Sequence, residues 1–270
     1  MYVCVWLVLL ACVSSPVSGI PQSAAETPLA VAEAPLAVAE TPLAATPSAF
    51  APDVPVRLDA FVAALANLAD AAQAGPAVRD DFSALAAERG LPTDEKTYRD
   101  YVRVKLAFQA TREGGWWDLH WGITNREPQS DAVWAAWATW PDPPGGVVAE
   151  CDELSALFSF MARKLGVANT GLFWPTWNHT VSAWKVVSPT GEIRVVVPTS
   201  QVFLAPGEGL GTRGFDPAGK RIYNYGRADV PDTFLLPSER ANTFVERVRI
   251  GLPLPEATLA REQQARIAGR

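Results

Sequence analysis

The stretch AECDELSALFSFMARKLG, residues 149–166, sets a cysteine at the head of a helical pattern. Cys151, Leu154, Phe158, Met161 and Leu165 follow at intervals of three, four, three and four, so they share one helix face. The thiol is thereby expected to turn toward the core, at the helix end nearest the preceding loop. A helix N-terminus offers unpaired N–H groups and about half a positive charge, both of which favour thiolate over thiol. The same N–H groups can stabilise the oxyanion formed when a thiolate attacks a carbonyl. The thiol pKa is therefore expected below the free value of about 8.5. Asp152 and Glu153 oppose this as charges, but first-turn acids read better as capping groups turned to solvent.

A thiolate nucleophile needs a base, and the chain has two histidines, His120 and His179. His120 lies in WWDLHWGI, an aromatic run that reads as core packing. His179, in WPTWNHTVSAW, opens the first of two β-branched runs, HTVSAWKVV and IRVVVPT, which flank the turn signal SPTGE. That pattern is a β-hairpin, and a strand end can hold an imidazole rigidly with one side open. Trp174 and Trp177 precede His179 in a proline-containing loop and are candidate walls of a substrate groove, with Trp140 beside the cysteine loop as a further candidate.

A helix-head cysteine, a hairpin opening on histidine and the PT of residues 198–199 together resemble the transglutaminase-like, papain-related superfamily. CDELSALFSFMARKLGV resembles the nucleophile helix of bacterial transglutaminase-like proteins, and CDELSALF is similar to the arylamine N-acetyltransferase branch. The resemblance covers residues 145–204, under a quarter of the chain. It implies an α+β fold with a papain/transglutaminase-like core, in which a helical N-terminal part presents the cysteine helix to an antiparallel sheet. It also implies acyl transfer, with Cys151 forming a thioester and His179 moving the proton, on peptides, glutamine side chains or other acyl donors. The family's aspartate directly before PT is replaced by Val197 here. Counted outward from a turn of four or five residues, Gln201 falls opposite His179, and Thr199 shares its strand face. Either could serve as a neutral orienter of the imidazole.

The elements that must position these residues are also legible. VRLDAFVAALANLADAAQAG, AVRDDFSALAAERG and TDEKTYRDYVRVKLAFQATREGG read as helices ending near Gly75, Gly90 and the pair Gly114–Gly115. SDAVWAAWATW reads as a short helix capped by Ser130, SERANTFVERVRI as another, and EATLAREQQARIAG as a surface helix. The GEGLG of residues 207–211 lacks the strand-to-helix context of a phosphate loop.

Residues 1–19 form an apolar run followed by small polar residues, the length of a secretory h-region. LLAC, residues 9–12, resembles a lipobox that would acylate Cys12, whereas VSG, residues 17–19, suits ordinary signal cleavage. Residues 20–55 carry a seven-residue repeat with Pro28, Pro35 and Pro42 in step, which reads as a Pro/Ala tether, leaving residues 56–270 as the globular domain. Of the three cysteines, either cleavage removes Cys4 and loses or lipidates Cys12, so Cys151 is the one mature thiol. One thiol and two histidines are poor material for a metal site, and no cofactor is expected. A net charge of −6 argues against nucleic acid and anionic membrane as main partners and leaves membrane contact to the lipid anchor. The expectation is an exported bacterial envelope protein, lipid-anchored or otherwise periplasmic or secreted, with a cell-wall peptide or protein substrate. The alternative is a catalytically inactive envelope module that keeps the groove and binds a peptide or partner.

Overall fold

The computed structural model describes residues 48–126, 130–138, 146–205, 207–224 and 229–269. Cys12, Trp140, the leader and nearly all of the tether lie outside them. Pro47–Arg270 makes one compact unit. Its first anchored residue is Phe50, whose N–H and C=O bond the Asn242 side chain at 2.9 and 3.0 Å, so the docked chain begins before residue 56.

Three helices open the fold: α1 (Leu58–Ala72), α2 (Pro76–Arg89) and α3 (Glu95–Thr111). Their ends follow from the sequence. Pro76 stands at the start of α2, Gly90 closes it in the left-handed region at φ 68°, and the Asp94 carboxylate accepts N–H bonds from Lys96 and Thr97 at 3.0 Å each. After α3 come β2 (Leu119–Trp121), α4 (Ser130–Ala138), β3 (Val147–Ala149) and α5 (Cys151–Lys164), with β2 and β3 paired in parallel. A short strand, β1 (Val56–Arg57), pairs with β7 (Leu235–Leu236), and the chain closes with α6 (Ser238–Gly251) and α7 (Glu256–Ala268).

The main sheet is antiparallel, in the order β4 (Thr170–Thr176), β5 (His179–Ser188), β6 (Gly191–Val197). The fold is thus mixed α and β with small, mostly antiparallel sheets. β5 and β6 are the expected hairpin, but β4 falls where a loop was expected around Trp174. Gly171 explains its closeness to the chain beyond: a Cβ there would sit 2.5 Å from the Tyr223 carbonyl oxygen, where Leu172 and Tyr223 exchange backbone bonds of 2.8 and 2.7 Å. Pro175 is tolerated because the register slips between Phe173 and Thr176.

α5 is the centre of the molecule. It packs on β4 and β5 on one side and on α3 and α4 on another, and Glu153 through Ala162 are all buried. The helical layers meet in an aromatic cluster of Phe61, Trp117, Trp134, Trp137 and Phe244, with ring centroids 5.0–6.4 Å apart. Of the eight tryptophans among the described residues, five (Trp116, Trp117, Trp134, Trp137 and Trp184) are buried in the core. α7 is held by a buried ionic group: Lys105, fully enclosed, reaches Asp81 at 2.8 Å, the Leu254 carbonyl at 2.8 Å and Glu256 at 3.4 Å. Gln109 joins this group to Arg112, donating to Glu256 at 2.7 Å and accepting from the Arg112 Nε–H at 2.7 Å.

Candidate functional site

Side chains along a strand alternate between faces, and on β5 that parity decides the site. Ser182 and Trp184 face α5: the Ser182 hydroxyl donates to the Ser155 carbonyl at 3.2 Å, and Trp184 joins the main core. Val181 and Ala183 face the other way, into a smaller cluster with Phe173, Val196 and Phe215. Thr180 belongs to the first set and His179 to the second. The His179 ring accordingly packs against Phe203 and Phe215, with centroids 5.4 and 5.2 Å away. It is 2% exposed, its Nε2 has no hydrogen-bond partner, and burial lowers its pKa.

Cys151 opens α5 with a free, half-buried thiol. The group facing it is Thr180, whose backbone amide and hydroxyl favour the thiolate. Burial outweighs them, and Asp152 adds its negative charge, so the thiol pKa is raised rather than lowered. The expectation of a depressed pKa is corrected here, for a reason visible at the helix head. Glu150 caps α5 and accepts the Glu153 N–H, while Glu153 Oε2 accepts the Glu150 N–H at 3.0 Å in return. Asp152 also accepts from the Glu153 N–H, at 2.8 Å. Carboxylates already occupy the positive end of the helix, where an oxyanion would need it.

These acids do not all turn to solvent as expected. Glu153 is fully buried, held by the Thr124 hydroxyl at 2.9 Å and by the Arg126 Nε at 2.8 Å. Glu150 Oε1 accepts the backbone N–H groups of Thr124 and Asn125. Burial first, then the charges of Glu150 and Glu153, raise the Asp152 pKa to about 6.

The two proposed orienters fall elsewhere. Thr199 is buried on the α5 side, its hydroxyl 2.9 Å from that of Ser155, one helical turn beyond Cys151. Gln201 donates its backbone N–H to Glu113 Oε2 at 3.1 Å, and its side-chain Nε2 is buried without a partner. The expected register was off by one because the hairpin turn has two residues, Pro189 and Thr190. Ser188 pairs with Gly191, and the Ser188 hydroxyl donates to the Gly191 carbonyl at 2.8 Å. Ser182 pairs with Val197, the outermost pair of this ladder, which lies one residue short of the expected count. Val197, the slot of the family's aspartate, lies across from Ser182.

Trp174 is half-buried and meets Tyr223 edge-on at 4.8 Å, whereas Trp177 is 92% exposed beyond the end of β4. Trp177 stands out from the surface. His120 is half-buried, paired across from Val148, and a Cβ built on Gly146 would sit 2.1 Å from its Nε2. It packs on the start of the segment that delivers Cys151.

Sequence reasoning missed the seam of hydroxyls between α5 and the sheet. Ser155, Ser182 and Thr199 line it, and further along Ser159 donates to Thr170 at 3.3 Å. Its signal was the spacing of Ser155 and Ser159 on α5 with the parity of Thr180 and Ser182 on β5. Among the described residues, no group of three or more His, Cys, Asp or Glu side chains is placed to hold a metal ion, and no helix is long and apolar enough to cross a membrane. No protein-family model, curated protein or solved structure matches this chain.

Proposed function

We propose that the cysteine helix and its sheet are a transglutaminase-like core that has given up acyl transfer and serves an exported envelope protein as a binding module for a peptide or protein partner. One observation carries this reading: Cys151 faces a threonine, and the expected base, His179, is buried on the opposite face of the sheet. Without a base the thiol has no proton acceptor, and without a free positive helix end an acyl intermediate has little stabilisation.

The test is alkylation of Cys151 by iodoacetamide as a function of pH, read on the Cys151 peptide by mass spectrometry. Labelling should reach half its maximum above about pH 8.5 and be unchanged by His179→Ala. Faster labelling than free cysteine at neutral pH, slowed by His179→Ala, would restore a cysteine-dependent acyltransferase or peptidase. That second reading has one observation in its favour. Thr180 and His179 are neighbours on one strand, so a one-residue slip of β5 would exchange threonine for imidazole at the thiol.

A further inference from the structure

Around the β4–β5 turn, three aromatic side chains remain exposed away from Cys151. Trp177 is 92% exposed, Phe203 68% and Tyr223 36%. They belong to one end of the sheet. Thr176 pairs with His179, whose ring touches Phe203, and Trp174 meets Tyr223 at 4.8 Å. Two cations sit among them: Arg221 lies over the Tyr223 ring at 4.8 Å, and Lys220 Nζ reaches the Pro175 carbonyl at 3.4 Å. Phe203 also has φ 66°, a left-handed conformation unfavourable for a bulky side chain.

We propose that this end of the sheet docks on the headgroup region of an anionic phospholipid bilayer. Shape and charge both select that occupant. A tryptophan exposed at a turn is a convex wedge, suited to a soft interface and unsuited to lining a cleft for a peptide or sugar. Tryptophan and tyrosine settle at the depth where acyl chains meet headgroups, and lysine or arginine beside them draws them to anionic lipid. On a chain of net charge −6, residues 213–221 carry Arg213, Lys220 and Arg221 against Asp216, but Arg213 is paired with Glu88 at 3.1 Å, so Lys220 and Arg221 are the cations this end can offer an anionic surface. Other charges near this end include Arg194, paired with Glu192 at 2.7 Å, Glu208, which caps the Ala205 N–H at 2.9 Å, and Glu113, which accepts the Gln201 N–H at 3.1 Å.

The experiment takes the compact unit from Pro47 onward, its folding verified by a cooperative thermal transition. Co-sedimentation is measured with vesicles of phosphatidylglycerol in phosphatidylcholine, and with phosphatidylcholine alone. The unit should bind the anionic vesicles and release them as salt rises. Trp177→Ala should weaken binding by about tenfold or more. Lys220→Gln and Arg221→Gln should each weaken it about fivefold. Val187→Ser, at an exposed apolar site toward the other end of β5, should leave it unchanged. The proposal is overturned by absence of vesicle binding, or by binding that survives both Trp177→Ala and the paired cation change. It is equally overturned if Trp177 instead governs binding of soluble N-acetylglucosamine oligomers. No arm depends on Cys151, so this test and that of the binding-module reading can fail separately.

Discussion

Asp152 sits half-buried between two other carboxylates, and its pKa of about 6 makes it sensitive to mild acid. The folded value lies above the unfolded one of about 3.9, so the stability it contributes is fully present below the unfolded pKa and lost as pH rises through about 6. Asp152→Asn removes that titration. Discounted for partial exposure, the variant should gain about 1–2 kcal/mol relative to wild type between about pH 4 and pH 7.5, read from urea unfolding at each pH. A pH-independent difference would mean the carboxylate is solvated. His179 has the opposite sign. Its folded pKa is depressed, so the stability from holding it neutral is full above about 6.5 and lost as pH falls through the folded value. His179→Leu should flatten that acid limb and stay within about 1 kcal/mol of wild type at neutral pH, because an orphaned ring nitrogen contributes no buried hydrogen bond. A large loss at neutral pH would instead reveal a partner for Nε2.

Among the elements, the helices were the legible part. Their apolar spacing and punctuating glycines locate α1, α2, α3, α5 and α6 to within a few residues, because a helix face records itself every three or four positions. β4 was not legible, since Gly171 and Pro175 are loop residues until a neighbouring chain is known to need them. The cysteine at the helix head was readable from α5 alone. What faces it was not: that depends on strand parity, and parity depends on a two-residue turn that a count of turn signals overestimates. Lys105 offers a test of the element packing. Lys105→Ala leaves Asp81 and Glu256 without their shared cation and should cost about 3–5 kcal/mol, whereas Lys105→Met should cost much less. Amide exchange along α7 should rise in the alanine variant before it rises in α5. Equal exchange in both helices would mean α7 is part of the same opening unit.

At the scale of the whole molecule, the proposed lipid anchor and the aromatic end of the sheet can be tested together. With Cys12 as an acylated anchor, full-length protein in a bacterial host should fractionate with membranes, and Cys12→Ser should release most of it. A single lipid-dependent contact is marginal, so the wild-type chain would draw on both the anchor and the aromatic end of the sheet. The Cys12→Ser, Trp177→Ala double variant should therefore be more completely soluble than either single variant. Equal membrane partitioning of wild type and Cys12→Ser would sink the anchor.

The ionic group around Lys105 also sets an order of assembly. α2 and α3 supply Lys105 and Asp81 early in synthesis, but Glu256 and the Leu254 carbonyl come from the last turns of the chain. Until those residues emerge, the enclosed ammonium has one carboxylate and no lid. The domain can close only once α7 has been made, so a chain truncated before Leu254 should leave Lys105 with Asp81 alone and stay open.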